Sequence, residues 1–242
     1  MGTCLLDLGN TRYKWIDSTQ VNEGSPLRKT YSPQEAAAAL CREVMATSSA
    51  LQWRVASVKG EAFNHLVADA FRAQGGRVIR FAVIPATPPF GLAYREPQRF
   101  GIDRYLNLLA ARDLYREPLI VIDAGTAVTV DALDAAGDHV GGIIFPGLGL
   151  LRQSLGAGTS LVTSDPAAAT LLLGNTTESC VNGGSYHGLQ GAVERIVRLM
   201  TQQLGGHVTI IVTGGDAEVI APALQSNATL DPNLLLKGLG KL

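Results

Sequence analysis

The chain has 242 residues, 46% hydrophobic and 17% charged, with 20 basic against 21 acidic side chains and a formal charge of −1. This balance predicts one large or two medium folded domains, each able to bury a sizeable core, and excludes general disorder. Near-neutrality also excludes a basic face spread over the whole surface, so no nucleic-acid partner is expected.

An apolar run at 3–8 predicts a strand, Gly9 and Asn10 a turn, and 11–17 a second strand. The polar stretch STQVNEGSP is a loop leading to a strand near Leu27–Tyr31. SPQEAAAALCREVMA predicts a helix with Ser32 as N-cap, Pro33 at its first position and Glu35 in the first turn. WRVASV is a short strand, EAFNHLVADAFRAQG a helix closed by Gly75, and RVIRFAVI a further strand. Strands with interposed helices make an α/β domain.

Prolines at 85, 88, 89 and 97 bar regular structure up to Phe100, after which Ile102, Tyr105, Leu106, Leu109 and Ala110 fall at helical spacing. Gly101–Asp103 therefore sit where a loop becomes a helix, and Pro118 closes that helix. Strands at 119–123, 126–133 and Gly141–Phe145 follow, then helical segments around 148–155, 166–173 and 178–203 and the strand in HVTIIVTGG. A hinge near 112–118 is expected to divide the chain into domains 1–115 and 116–242 with a cleft between them, and a final helix to cross back over the first.

The two halves repeat one plan. CLLDLGNTRYKWID drives an apolar strand into Asp7 and continues through Gly9, Asn10 and Thr11; LIVIDAGTAVTVDAL does the same with Asp123, Gly125 and Thr126. The aspartates lie 123 − 7 = 116 positions apart, close to half the chain. That is a duplicated unit, since solenoid repeats run at about 20–50 residues. A carboxylate at the end of a buried strand costs on the order of 1–3 kcal/mol even when partly compensated, so it needs a cation, a donor cluster or a reaction to serve. A glycine two residues on lets backbone N–H groups approach an anion, while the carboxylate can hold a cation through water. The combination suits a nucleotide phosphate with Mg²⁺. TGGDAE adds a third glycine turn, at Gly214 and Gly215, leading into a helix N-terminus that favours anions. Each turn alone is common in loops; three in order, two of them repeated, are not.

Competing chemistries leave no trace. The P-loop pattern, the kinase triplets H-R-D and D-F-G, H-E-x-x-H and G-x-S-x-G do not occur, and GLGLLR lacks the last glycine of a dinucleotide fingerprint. His65, His139, His187 and His207 have no ligand spacing and read as surface or structural. Cys4, Cys41 and Cys180 are odd in number and scattered, pointing to a reducing compartment and away from thiolate-bound metal. No basic stretch precedes a long apolar run, MGTCLL has Leu6 where a myristoylation site needs Ser or Thr, and GGIIFPGLGLL is too short and broken to span a bilayer. A cytoplasmic protein without membrane contact is expected.

DLGNTRYK (Asp7–Lys14), YREPQRFGIDR (Tyr94–Arg104), DAGTA (Asp123–Ala127), GGIIFPG (Gly141–Gly147), GNTTES (Gly174–Ser179) and TGGD (Thr213–Asp216) resemble the type III pantothenate kinases in order along most of the chain, with G-x-D-R behind Y-x-x-P as the most specific part. The resemblance implies a duplicated ribonuclease H-like fold of the acetate kinase, Hsp70 and actin superfamily, working as a homodimer. It implies phosphorylation of pantothenate by ATP with Mg²⁺ and a monovalent cation, K⁺ or ammonium. By position, Asp7, Leu8, Gly9, Asn10, Thr11, Arg12, Tyr13 and Lys14 would form the first phosphate turn, with Asp7 directing Mg²⁺ through water. Asp103 would be the general base, with Gly101, Ile102 and Arg104 lining the pantothenate site and Tyr94 contacting the substrate. Asp123 would bind the monovalent cation, Thr126 would touch ATP, and Thr176, or its neighbour Thr177, would contact pantothenate. Arg104 suits an anionic substrate because a guanidinium can grip a carboxylate with two parallel bonds. A non-catalytic transcription accessory factor of the same family, a kinase for another small alcohol or sugar, and a filament-forming actin relative are the alternatives.

Overall fold

The computed structural model describes residues 2–30, 37–73, 77–115, 118–156, 171–224 and 228–242. The helix start at Ser32–Glu35, the closing Gly75 and residues 166–170 of an expected helix lie outside the described residues. In chain order come β1 (Thr3–Leu8), β2 (Arg12–Asp17), β3 (Leu27–Thr30), α1 (Ala37–Ala46), β4 (Gln52–Ser57), α2 (Glu61–Ala73), β5 (Val78–Phe81) and α3 (Ile102–Leu114). They are followed by β6 (Leu119–Ala124), β7 (Ala127–Leu133), β8 (His139–Pro146), α4 (Leu148–Gly156), α5 (Thr177–Gln203), β9 (Thr209–Thr213), α6 (Ala217–Ile220), β10 (Ala228–Leu230) and α7 (Leu234–Lys241).

The first sheet has the order β3-β2-β1-β4-β5, and the second, read in the matching direction, β8-β7-β6-β9-β10. Both have two antiparallel pairs on one side of the central strand and two parallel pairs on the other. Strand β6 begins and ends 116 residues after β1 (119 − 3 and 124 − 8), the interval between the aspartates. The duplicated ribonuclease H-like α/β plan is present.

Two compact units result, one comprising Met1–Pro89, Tyr94–Leu114 and Asn233–Leu242, the other Phe90–Ala93 and Tyr115–Pro232. The final helix thus belongs with the first sheet. Leu234, Leu235, Leu236 and Leu239 on it are buried, each contributing about 1.5–3 kcal/mol relative to exposure.

Alternation along the central strands sets which face carries chemistry. In β1, Cys4, Leu6 and Leu8 join Trp53 and Val55 of β4 in packing on Leu40, Cys41 and Val44 of α1 and on Val67 and Phe71 of α2. Side chains two apart share a face, so Leu5 and Asp7 point the other way. That is the side of α7, which touches β1 and β4, and of α3, which touches β4. In β6, Ile120, Ile122 and Ala124 pack on Leu148 of α4 and on Leu189, Val193 and Val197 of α5, leaving Val121 and Asp123 on the opposite face. Each aspartate therefore stands on the face away from the helices that cover its strand's apolar row.

Several elements depart from expectation. Pro97–Arg99 forms a 3₁₀ turn in the stretch expected to be irregular, with Pro97 supplying a preset φ at its start. Strand β10 was not foreseen, and its three residues are too few to show alternation. Residues 171–173 are not helical. Helix α6 spans only four residues, so the macrodipole invoked behind TGGD is one turn long and weak. All three cysteines are free. Burial pushes the Cys4 and Cys41 thiols up to about 12, leaving them small protonated hydrophobes. No helix among the described residues is long and apolar enough to cross a membrane.

Candidate active site

Three backbone turns and two helix starts carry the residues singled out by the sequence. At the end of β1, Asp7 faces Lys14 across the antiparallel pair, with Nζ 3.7 Å from Oδ2 and each side chain 17% exposed. The ammonium offsets part of the cost of holding the carboxylate out of water. A methyl on Gly9 would stand 2.9 Å from the carbonyl oxygen of Arg12, so the turn closes only around glycine. Asn10, Thr11 and Arg12 are exposed. Leu8 and Tyr13 are wholly buried, and the Tyr13 hydroxyl donates to Glu43 at 3.2 Å while its ring stacks on Trp15. Of these two residues only main-chain atoms are left for a ligand.

Lys59 was not anticipated. Strand β4 runs parallel to β1, and the amide of Val58 donates to the Leu8 carbonyl at 3.2 Å. This brings Lys59 Nζ to 3.3 Å from the carbonyl oxygen of Asn10, adding a third cation at the turn after Arg12 and Lys14. A lysine–glycine pair directly after an apolar strand was the available signal, because parallel strands gather their carboxyl ends on one edge.

At the start of α3, the amide of Tyr105 donates to the Gly101 carbonyl at 3.0 Å, making Gly101 the cap position and placing Asp103 within the first turn. Asp103 Oδ1 accepts from the amide of Arg104 at 2.8 Å. A methyl on Gly101 would lie 2.5 Å from that oxygen. Arg104 is 4% exposed. Its Nη1 donates to the Tyr94 hydroxyl at 2.7 Å, and its guanidinium lies 5.3 Å from the Tyr94 ring centroid and 4.5 Å from that of Phe100. The two rings meet edge to face at 4.9 Å. Tyr94, Arg104 and Phe100 thus form one cluster beside Asp103 in sequence, in which one guanidinium N–H is already given to Tyr94.

In the second unit, Asp123 lies at the end of β6 in register with Thr129 and Thr213. The β6–β7 turn is closed by the amide of Gly125 donating to the Ala127 carbonyl at 3.1 Å. Two segments distant in sequence close around it. The amide of Gly147 donates to the Thr126 carbonyl and that of Asp216 to the Ala124 carbonyl, both at 2.9 Å. Methyl groups would not fit: at Gly147 one would stand 2.7 Å from the Thr126 carbonyl oxygen, and at Gly214, which has φ +96°, one would stand 2.6 Å from the nitrogen of Ala124. The motifs GGIIFPG and TGGD are therefore two walls of the turn that carries Asp123 and Thr126.

Thr176 is the N-cap of α5, its Oγ1 accepting from the amide of Ser179 at 3.1 Å in a reciprocal capping box. Thr177 is the first helical residue, and both threonines are exposed. Of the histidines, His139 is buried with Nε2 3.0 Å from Asp131 Oδ1, a structural pair. Among the described residues no group of three or more His, Cys, Asp or Glu is placed to hold a metal.

A family model described as type III pantothenate kinase matches residues 4–199. The chain is 33% identical to the type III pantothenate kinase of Halorhodospira halophila, covering 97% of this chain and 95% of that one. It is 35% identical to that of Chromobacterium violaceum, covering 98% of each. Among solved structures, it is similar to a Campylobacter jejuni protein assigned to the Baf family of transcriptional activators (TM-score 0.57, 19% identity, 98% and 96% covered). It is also similar to the ethanolamine utilization protein EutJ of Carboxydothermus hydrogenoformans (TM-score 0.56, 15% identity, 99% and 88% covered). At these identities the structures show the fold alone.

The Gly147 contact generates a stability test. Gly147→Ala should cost about 1–3 kcal/mol of unfolding free energy through overpacking. Gly149→Ala, two residues on in α4 with open space around it, should be neutral or stabilising by up to about 1 kcal/mol. Urea unfolding of the two variants measures the difference, and equal stabilities would remove the close approach.

Proposed function

The chain belongs to the type III pantothenate kinase family, and we propose that it phosphorylates pantothenate with ATP, the first step of coenzyme A biosynthesis, through the residues described above. The full-length match to relatives named for this activity carries the reading of the substrate. Phosphoryl transfer needs positioning and charge neutralisation more than covalent chemistry, so a held triphosphate and one aligned hydroxyl suffice.

The first turn, Asp7–Lys14, receives phosphate through main-chain amides and the exposed side chains of Asn10, Thr11 and Arg12, with Lys14 and Lys59 as nearby cations. Thr126 meets the nucleotide from the second turn. Asp103 accepts the proton of pantothenate's primary hydroxyl, its carboxylate oriented by the Arg104 amide. Gly101, Ile102 and Arg104 line the substrate site, and Arg104 holds the Tyr94 hydroxyl toward the vitamin. Thr176 or Thr177 completes the contact.

The donor set fits the ions the family implies. The strand-end carboxylate of Asp7, beside Lys14 and outside any three-ligand group among the described residues, suits Mg²⁺ that arrives on phosphate oxygens and keeps its waters. Asp123, a strand-end carboxylate in register with Thr129 and Thr213, offers a hard oxygen ligand of the kind K⁺ takes and a hydrogen-bond acceptor for ammonium. When bound, such cations neutralise the charge of the transferring phosphoryl group.

A homodimer is supported by large apolar side chains left exposed in the second unit, Ile143 and Ile144 on β8 and Leu172 and Leu173 before α5. Three free, scattered thiols support a cytoplasmic setting.

Coupled ADP release with pantothenate tests the activity. Asp103→Asn should lose about 10²–10⁴-fold in kcat while still folding and binding ATP; near-normal turnover would remove the base assignment. Activity should require K⁺ or ammonium, and equal rates in sodium-only buffer would overturn the role given to Asp123. Light scattering should give twice the monomer mass, and a monomer at assay concentration would sink the dimer.

A further inference from the structure

Helix α7 packs in the first unit although it follows all of the second in sequence. Three sets of polar contacts fix it. Just before its start, the Asn233 amide group donates to the carbonyls of Val21 and Gly24 at 3.0 and 2.8 Å. Near its end, Arg54 of β4 donates to the Gly240 carbonyl at 2.6 Å, and Lys241 pairs with Asp113 in the last turn of α3. With its leucines buried as well, α7 is a fixed surface, and α3 is the element it packs against most extensively.

At one place the two helices meet backbone to backbone. A methyl on Gly238 would overlap the carbonyl oxygen of Leu106 and stand 2.7 Å from its carbonyl carbon and 3.0 Å from its Cα. Leu106 lies three residues beyond Asp103, about one helical turn. Two residues further on, Gly240 has room, its nearest neighbour being the Leu5 Cδ1 at 3.6 Å. Close-packed elements transmit displacement and do not absorb it, so pushing α3 away at Leu106 moves Asp103 and Arg104 with it. A misplacement of about 1 Å is enough to cost on the order of 10²-fold in rate.

We infer that Gly238 is a positioning residue: its lack of a side chain sets how closely α3 approaches α7, and so where the Asp103 carboxylate and the Arg104–Tyr94 pair stand. The inference rests on the reading of Asp103 as the general base.

Gly238→Ala compared with Gly240→Ala is the test. Both add one methyl to a glycine of the same helix and gain similar helix propensity, so the difference between them reports the Leu106 contact. Gly240→Ala should keep kcat and both KM values within twofold of the parent. Gly238→Ala should lose at least tenfold in kcat and raise the KM for pantothenate threefold or more, with the KM for ATP unchanged. A purely structural glycine would lower the active fraction, reducing kcat with both KM values unchanged; that result, or a variant indistinguishable from Gly240→Ala, overturns the inference. If Gly238→Ala does not fold, Arg54→Met, which frees the end of α7 without added bulk, takes its place: a threefold rise in pantothenate KM supports the inference and an unchanged KM overturns it. Asp103→Asn assayed alongside separates the two claims. Turnover retained there removes the base assignment, while the pantothenate KM of Gly238→Ala still reads the placement of α3.

Discussion

Around Ala124–Thr126, three stretches of main chain come closer than any side chain allows. The amides of Gly147 and Asp216 are bonded to the carbonyls of Thr126 and Ala124, and neither Gly147 nor Gly214 has space for a Cβ. Each bond pairs a carbonyl of the turn with an amide from a segment distant in sequence. The result is a turn walled by backbone, with Asp123 at the end of the preceding strand. Residues over 90 positions apart in the chain meet there because β6 and β9 are parallel neighbours and β7 and β8 antiparallel ones.

The first unit reaches a related end by other means. Its turn is one residue longer, since β2 starts four residues after β1 ends while β7 starts three after β6. Asp7 faces a lysine in register where Asp123 faces threonines. The same strand-end carboxylate is therefore set beside an ammonium in one unit and beside hydroxyl-bearing residues in the other. This is the electrostatic difference expected if one turn handles phosphate and the other a small cation.

Much of this was legible because it is periodic or local. Strands β1, β2, β6 and β7 are runs bounded by glycine turns, and α3 shows its stripe from Ile102 to Ala110 despite the prolines ahead of it. What the sequence leaves hidden depends on pairing. Adjacency groups Leu8 and Tyr13 with the phosphate turn, but only pairing shows that their side chains are register partners on the covered face of the sheet; alternation from Cys4 onward already points Leu8 inward. Lys59 counts only once β4 is known to be parallel to β1. The buried Asp131–His139 pair spans a hairpin whose register shifts at Ala132–Leu133, an irregularity no spacing rule foresees. The sequence suits Arg104 to an anionic substrate, and nothing local announces that Tyr94 and Phe100 close over it.

The placement of α7 has a consequence for biosynthesis. Its first residue comes 120 positions after the end of α3 (234 − 114). At roughly 5–20 residues per second on the ribosome, that interval is about 6–24 s. Throughout it the nascent first sheet waits with the apolar surface meant for α7 exposed to water, and the helix bearing Asp103 has no partner along that side. The first unit cannot complete its core as it emerges; its folding is tied to translation of all of the second.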